Sequence, residues 1–166
     1  GYMHLAIAEK GLMWVKLTAT GPAGQGMLST AGSTATTRLA VAITALDEIN
    51  RHAVPCPLAV LDHTDNTAGL RPSVNVGRIG GGTFISQAAS SAWAEIDIRL
   101  PPGLSIKDMS VLLDSICQPD YLTWEIIKAW DANWSAPDCN VASAILHAAR
   151  EVGRDGIRMV TRLPAS

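Results

Sequence analysis

An α+β fold is expected from three features of the sequence. Two segments alternate apolar and polar residues with period two, and two others carry apolar residues at steps of three and four. The elements then follow in the order strand, helix, strand, strand, helix, strand. In the opening stretch, Leu5 to Thr20, Met13, Val15, Leu17 and Ala19 alternate with Trp14, Lys16, Thr18 and Thr20, as in a half-buried strand. Gly21-Pro22 ends it, and a loop rich in Gly, Ser and Thr runs to Gly32. A helix is predicted from about Ser33 to His52, where Leu39, Ala42, Leu46, Ile49 and Ala53 form one apolar stripe and the Ser33 hydroxyl can cap the first turn. Ala53 to Arg71, with Pro55, Pro57 and the polar run Asp62 to Thr67, reads as a connector. A short strand is predicted over Ser73 to Ile79, closed by Gly80-Gly81-Gly82. The clearest strand is Ala92 to Leu100. Ala92, Ala94, Ile96, Ile98 and Leu100 face one way, and Trp93, Glu95, Asp97 and Arg99 face the other. Pro101-Pro102-Gly103 stops it, because proline donates nothing to a strand ladder. Ser105 is expected to cap a second helix to about Cys117, striped by Ile106, Met109, Leu113 and Ile116, and Tyr121 to Trp130 is the next strand. Two helices on one face of a four-stranded antiparallel sheet, in this order, match the ferredoxin-like split βαβ arrangement.

Beyond Trp130 the chain changes character, which divides it into residues 1–130 and an appendage, residues 131–166. Asp131 to Pro137 reads as a linker. A helix follows at about Asn140 to Val152, striped by Val141, Ile145, Ala148 and Val152, and Ile157 to Leu163 is a last strand. One helix and one strand cannot bury their own faces. They are expected to dock on the first domain, on a second copy, or on a domain outside the chain.

Composition excludes several classes of function. Of 166 residues, 48% are hydrophobic and 17% charged, which fits a packed domain and not a disordered chain. A net charge of −2 argues against a basic nucleic-acid platform. No apolar run is long enough to span a membrane, and no charged-then-apolar leader is visible. Cys56, Cys117 and Cys139 are odd in number and far apart, which suits a reduced, cytoplasmic setting and matches no zinc-site spacing. Gly1 is not a translation start, so the expectation is a processed chain, an added end, or a piece of something longer.

Four stretches in order carry a resemblance. They are Ala8-Glu9-Lys10-Gly11-Leu12, then Gly21-Pro22-Ala23-Gly24-Gln25-Gly26, then Asn75-Val76-Gly77 with Gly81-Gly82-Thr83, and finally the run from Ala94-Glu95-Ile96-Asp97-Ile98-Arg99 to Gly103. Over about Leu5 to Ile116 the chain resembles the lid, or dimerisation, domain of the zinc aminoacylase and carboxypeptidase family. That family includes acetylornithine deacetylase, succinyl-diaminopimelate desuccinylase and glutamate carboxypeptidases. Asn133 to Ser166 resembles the helix and strand that re-enter the catalytic domain. The resemblance implies a homodimer built through the helix Ser33–His52 and an adjacent strand edge. It also implies a parent enzyme with two zinc ions, whose ligands come from catalytic segments this chain lacks. No cofactor is expected in the chain itself, which should not hydrolyse anything alone. Its implied function is to dimerise and to position an N-acyl amino acid or small peptide. A free-standing dimerisation or small-ligand-binding module derived from such a lid is the alternative.

The candidate ligand residues follow from the same stretches. By resemblance, Arg99 holds a substrate carboxylate, for which a planar two-pronged donor is suited. The plainer reading is an ion pair with Asp97 or Glu95. Lys10 either adds positive charge near the same cleft or keeps a strand edge soluble. Gly82 and Thr83 lie in a glycine-rich stretch that either admits a ligand close to backbone or simply turns the chain. Gln25 stands where such lids commonly carry a His that stabilises an oxyanion, and Ser86-Gln87 stands where they commonly carry a substrate-contacting Asn. Both changes suggest an altered site. Asp62-His63-Thr64-Asp65 is the one local metal-ligand candidate, against a solvated polar loop. Trp124, Trp130 and Trp134 read either as core or as an interface.

Overall fold

The computed structural model describes residues 4–52, 54, 55, 57, 58 and 70–162. The strands are β1 (His4–Glu9), β2 (Gly11–Thr20), β3 (Gly24–Gln25), β4 (Ser73–Gly81), β5 (Gln87–Ala88), β6 (Ser91–Leu100), β7 (Leu122–Trp130), β8 (Asn133–Trp134) and β9 (Arg158–Arg162). The helices are α1 (Ala35–Asp47), α2 (Ile106–Ile116) and α3 (Asn140–Glu151). The main sheet has the order β4-β6-β2-β7 and is antiparallel throughout, the ferredoxin-like order. Its inner face is the alternation seen in the sequence. Met13 lies opposite Ile98, Val15 opposite Ile96, Leu17 opposite Ala94 and Ala19 opposite Ala92, all buried. Helix α1 lays Ala35, Leu39, Ala42 and Leu46 on this face, and α2 adds Met109 and Leu113, so one core joins both helices to the sheet. Each fully buried Leu, Ile or Met contributes about 2 kcal/mol relative to exposure.

Both helix starts have a local cause. The Ser105 hydroxyl accepts from the Asp108 N–H at 3.1 Å, and the Asp108 carboxylate accepts from the Ser105 N–H at 3.0 Å, a reciprocal capping box. Asp131 adds a third bond, accepting from the Ile106 N–H at 2.7 Å. Ser105→Ala is expected to lower stability by about 1 kcal/mol, read as a shift in the urea midpoint at unchanged slope. The cap of α1 is one residue later than expected. Thr34, not Ser33, accepts from the Thr37 N–H, while the Ser33 hydroxyl donates to the Thr30 carbonyl. The α-helical part of this segment also ends at Asp47, where a tighter 3-10 turn takes over to Arg51.

The largest departure is in the opening stretch. Leu5 to Thr20 is not one strand. The chain breaks at Lys10, and its first half leaves the main sheet. β1 pairs in parallel with β9 and antiparallel with β8, making a three-stranded sheet in the order β8-β1-β9. The expected linker therefore contains a strand, and the last strand docks on the first strand of its own chain. A second, smaller core of Ile7, Ala8, Leu58 and Leu70 lies with this sheet. The expected stripe of α3 is not buried there. Val141, Ile145 and Val152 are exposed, and of this helix only Ala142 is buried. Val141, Ile145 and Trp134 border an open cavity of about 340 Å³ against β1.

Candidate functional site

Six residues were singled out by sequence, and the fold sorts them into two groups at opposite ends of the main sheet. Leu100 pairs with Gly11 at one end, and Ser91 pairs with Thr20 at the other. Nine strand residues at about 3.3 Å each put these ends about 30 Å apart. Lys10 and Arg99 belong to the first end. Gln25, Gly82, Thr83 and Ser86 belong to the second.

At the first end two cationic side chains lie within electrostatic reach of each other. Arg99 stands on the outer face of β6, and its Nε donates to Asp97 at 2.8 Å from Oδ1. The ion pair with Asp97 is thus formed, whereas Glu95 pairs with Arg78 at 2.8 Å. The Arg99 side chain is only 13% exposed. Its Nη1 is buried and meets no hydrogen-bond partner among the described residues. Lys10, at the break between β1 and β2, is 4% exposed. Burial, and then the neighbouring Arg99 guanidinium, pull its ammonium pKa down to about 8. Lys10 and the ion-paired Arg99 thus lie near each other, and one Arg99 donor is left unsatisfied.

At the second end, β3 and β5 form a two-stranded ribbon in which Gln25 lies opposite Gln87. The Gly26 N–H donates to the Ser86 carbonyl at 2.8 Å, and the Thr83 hydroxyl donates to the Gln87 side chain at 2.9 Å. Gly82 has φ +73°, a backbone conformation that favours glycine. Around these polar groups Met27, Leu28, Phe84 and Ile85 are exposed, Ile85 to 96%. Sequence reasoning passed over this apolar tip. The signal was two bulky apolar pairs, each beside glycines in a turn.

Among the described residues no group of three or more His, Cys, Asp or Glu side chains gathers to hold a metal. Asp62, His63 and Asp65 lie outside the described residues. Trp124 packs partly into the core, while Trp130 and Trp134 are exposed. Sequence reasoning also missed Trp14, whose indole N–H donates to Asp97 Oδ1 at 3.1 Å. Its outward position in the alternation was visible, but its register opposite Asp97 was not.

Residues 7–125 match the profile of the peptidase dimerisation domain. The chain belongs to this family. No curated protein sequence matches it. Among solved structures the dimerisation domain is similar to an amidase of the hydantoinase/carbamoylase family from Burkholderia multivorans, with TM-score 0.66 and 14% identity over 98% of this chain and 37% of that one. It is similar to the aminopeptidase PepT from Bacillus cereus, with TM-score 0.68 and 15% identity over 99% of this chain and 41% of that one. It is similar also to human carnosine dipeptidase 1, with TM-score 0.60 and 11% identity over 95% of this chain and 44% of that one. These likenesses show a shared fold. The chain spans less than half the length of each of these structures.

Proposed function

We propose that this chain is the dimerisation and substrate-positioning lid of a zinc-dependent hydrolase acting on N-acyl amino acids or small peptides. The observation that carries the reading is the match to a peptidase dimerisation domain across the ferredoxin-like sheet. The buried Lys10–Arg99 pair supports the substrate class. Its open Nη1 suits the carboxylate that an amino acid or peptide presents. The second group of residues, about 30 Å away along the sheet, serves the site of a twin copy, reached across the dimer. The Gln25 amide can donate a hydrogen bond there but brings no positive charge. Residues 131–162, together with β1, form a piece of the metal-binding domain, and the exposed α3 stripe faces the remainder of it.

The dimer surface is assigned to α1 and the open edge at β4, which expose Val41 and Ile79. The opposite edge, β7 with α2, exposes Ile126, Ile127 and Val111 and serves as the control. Sedimentation of the chain at tens of micromolar is expected to show a dimer. Val41→Asp with Ile79→Asp should weaken it about tenfold or more, and Val111→Asp with Ile126→Asp should not. A monomer at this concentration overturns the reading, and dissociation by the second pair alone moves the interface to β7. A second reading, a free-standing module that binds a small ligand, is favoured by the changes at Gln25 and Ser86-Gln87. It requires the gene to encode no catalytic half beside this segment, which sequencing on both sides of it decides.

A further inference from the structure

Arg99 does not hold its position alone. Trp14 on β2 lies directly opposite Asp97 on β6, and both project from the outer face of the main sheet. The Trp14 indole N–H donates to Asp97 Oδ1 at 3.1 Å. Asp97 in turn receives the Arg99 Nε at 2.8 Å on Oδ1 and 3.1 Å on Oδ2. Lys128 sits over the Trp14 ring, 5.5 Å from its centroid, which restrains the indole from one side. The result is a chain of three side chains that grips the guanidinium by its Nε only. The far end, carrying the buried and unpartnered Nη1, is left over. A buried donor without a partner is costly, and an arginine free to turn would seek one. This one is held away from that escape.

We propose that Trp14 and Asp97 are positioning residues that lock the Arg99 guanidinium with its Nη end presented to a ligand carboxylate. The inference rests on the reading of Arg99 as a carboxylate binder given above. Asp97 orients the guanidinium through Nε, and Trp14 orients Asp97. Neither touches the ligand.

The test is nuclear magnetic resonance on the nitrogen-labelled full chain, following the Arg99 Nε–H and Trp14 indole N–H signals, with N-acetylglycine as probe and N-acetylglycinamide as its uncharged control. The wild-type protein is expected to show a sharp Arg99 Nε–H signal that shifts saturably with N-acetylglycine and not with the amide. Trp14→Phe keeps the ring and removes the donor. It should broaden the free Arg99 signal and weaken N-acetylglycine about tenfold, while circular dichroism and melting temperature stay close to wild type. Asp97→Asn should act in the same direction and covers the case in which Trp14→Phe fails to fold. An unchanged Arg99 signal and unchanged affinity in both variants overturns the positioning role. If the wild-type protein ignores N-acetylglycine but its Arg99 signal still broadens in Trp14→Phe, the positioning role stands and the carboxylate reading falls.

Discussion

Gly11→Val is expected to destabilise the protein by about 3 kcal/mol or more. A Cβ on Gly11 would lie 2.6 Å from the Ala132 nitrogen, 2.7 Å from the Trp130 oxygen and 2.8 Å from the Asp131 carbonyl carbon. All three are backbone atoms, so no side chain can rotate away. They belong to the stretch where the chain leaves the main sheet for β8, and Gly11 is where it enters that sheet from β1. The two crossings between the sheets are therefore packed backbone on backbone, and only glycine fits. Asp131 is further tied to α2 through the Ile106 N–H, so a displaced crossing would also disturb that helix start. Gly24→Ala is the control, because a Cβ there meets nothing within 4 Å. Urea unfolding should separate the two variants clearly. Equal stability would show that the crossings are not in contact.

Lys10→Met is expected to stabilise the protein by about 3 kcal/mol at pH 7. Folding lowers the Lys10 pKa from its ordinary 10.5 to about 8, so the folded state disfavours the charged form. Below pH 8 the ammonium is charged in both the folded and the unfolded chain, and the full penalty is present. Between pH 8 and 10.5 the unfolded chain binds more protons, so stability rises with pH. Above 10.5 both forms are neutral and the penalty is gone. Methionine keeps the length of the side chain without the charge. Denaturant unfolding of both proteins at pH 7 and near pH 10.5 should show a gap that closes as pH rises. A gap that is absent, or that widens with pH, would overturn the account. Under the proposed function the gain in stability is accompanied by weaker carboxylate binding, the usual trade at a site with stored charge.

The candidate site was partly legible for reasons that differ between its residues. Arg99 was visible because outward-facing positions of a strand follow from the alternation of Ala92 to Leu100. Lys10 could be named, but its burial could not, because a lysine at a strand edge is ordinarily solvated. Trp14 and Asp97 meet through strand register, although they lie 83 positions apart in the chain. That the two groups of site residues are about 30 Å apart follows from antiparallel pairing, which no local pattern encodes.

Local sequence patterns are enough to specify the ferredoxin-like half of the protein. The alternation in Met13 to Ala19 and in Ala92 to Leu100, the stripes of α1 and α2, and the Ser105 cap are local signals, and each agrees with the element it produced. The break at Lys10, by contrast, is a product of long-range packing. Leu5 to Thr20 is a single apolar-rich run, and no residue in it demands a change of sheet. The change comes from β9, whose Arg158 to Arg162 pair in parallel with His4 to Glu9 at the far end of the chain. A parallel pairing needs a long crossover, and its partner cannot be read from either strand alone. That distant pairing draws β1 out of the main sheet, leaves Lys10 buried at the crossing, and so sets the charge beside Arg99.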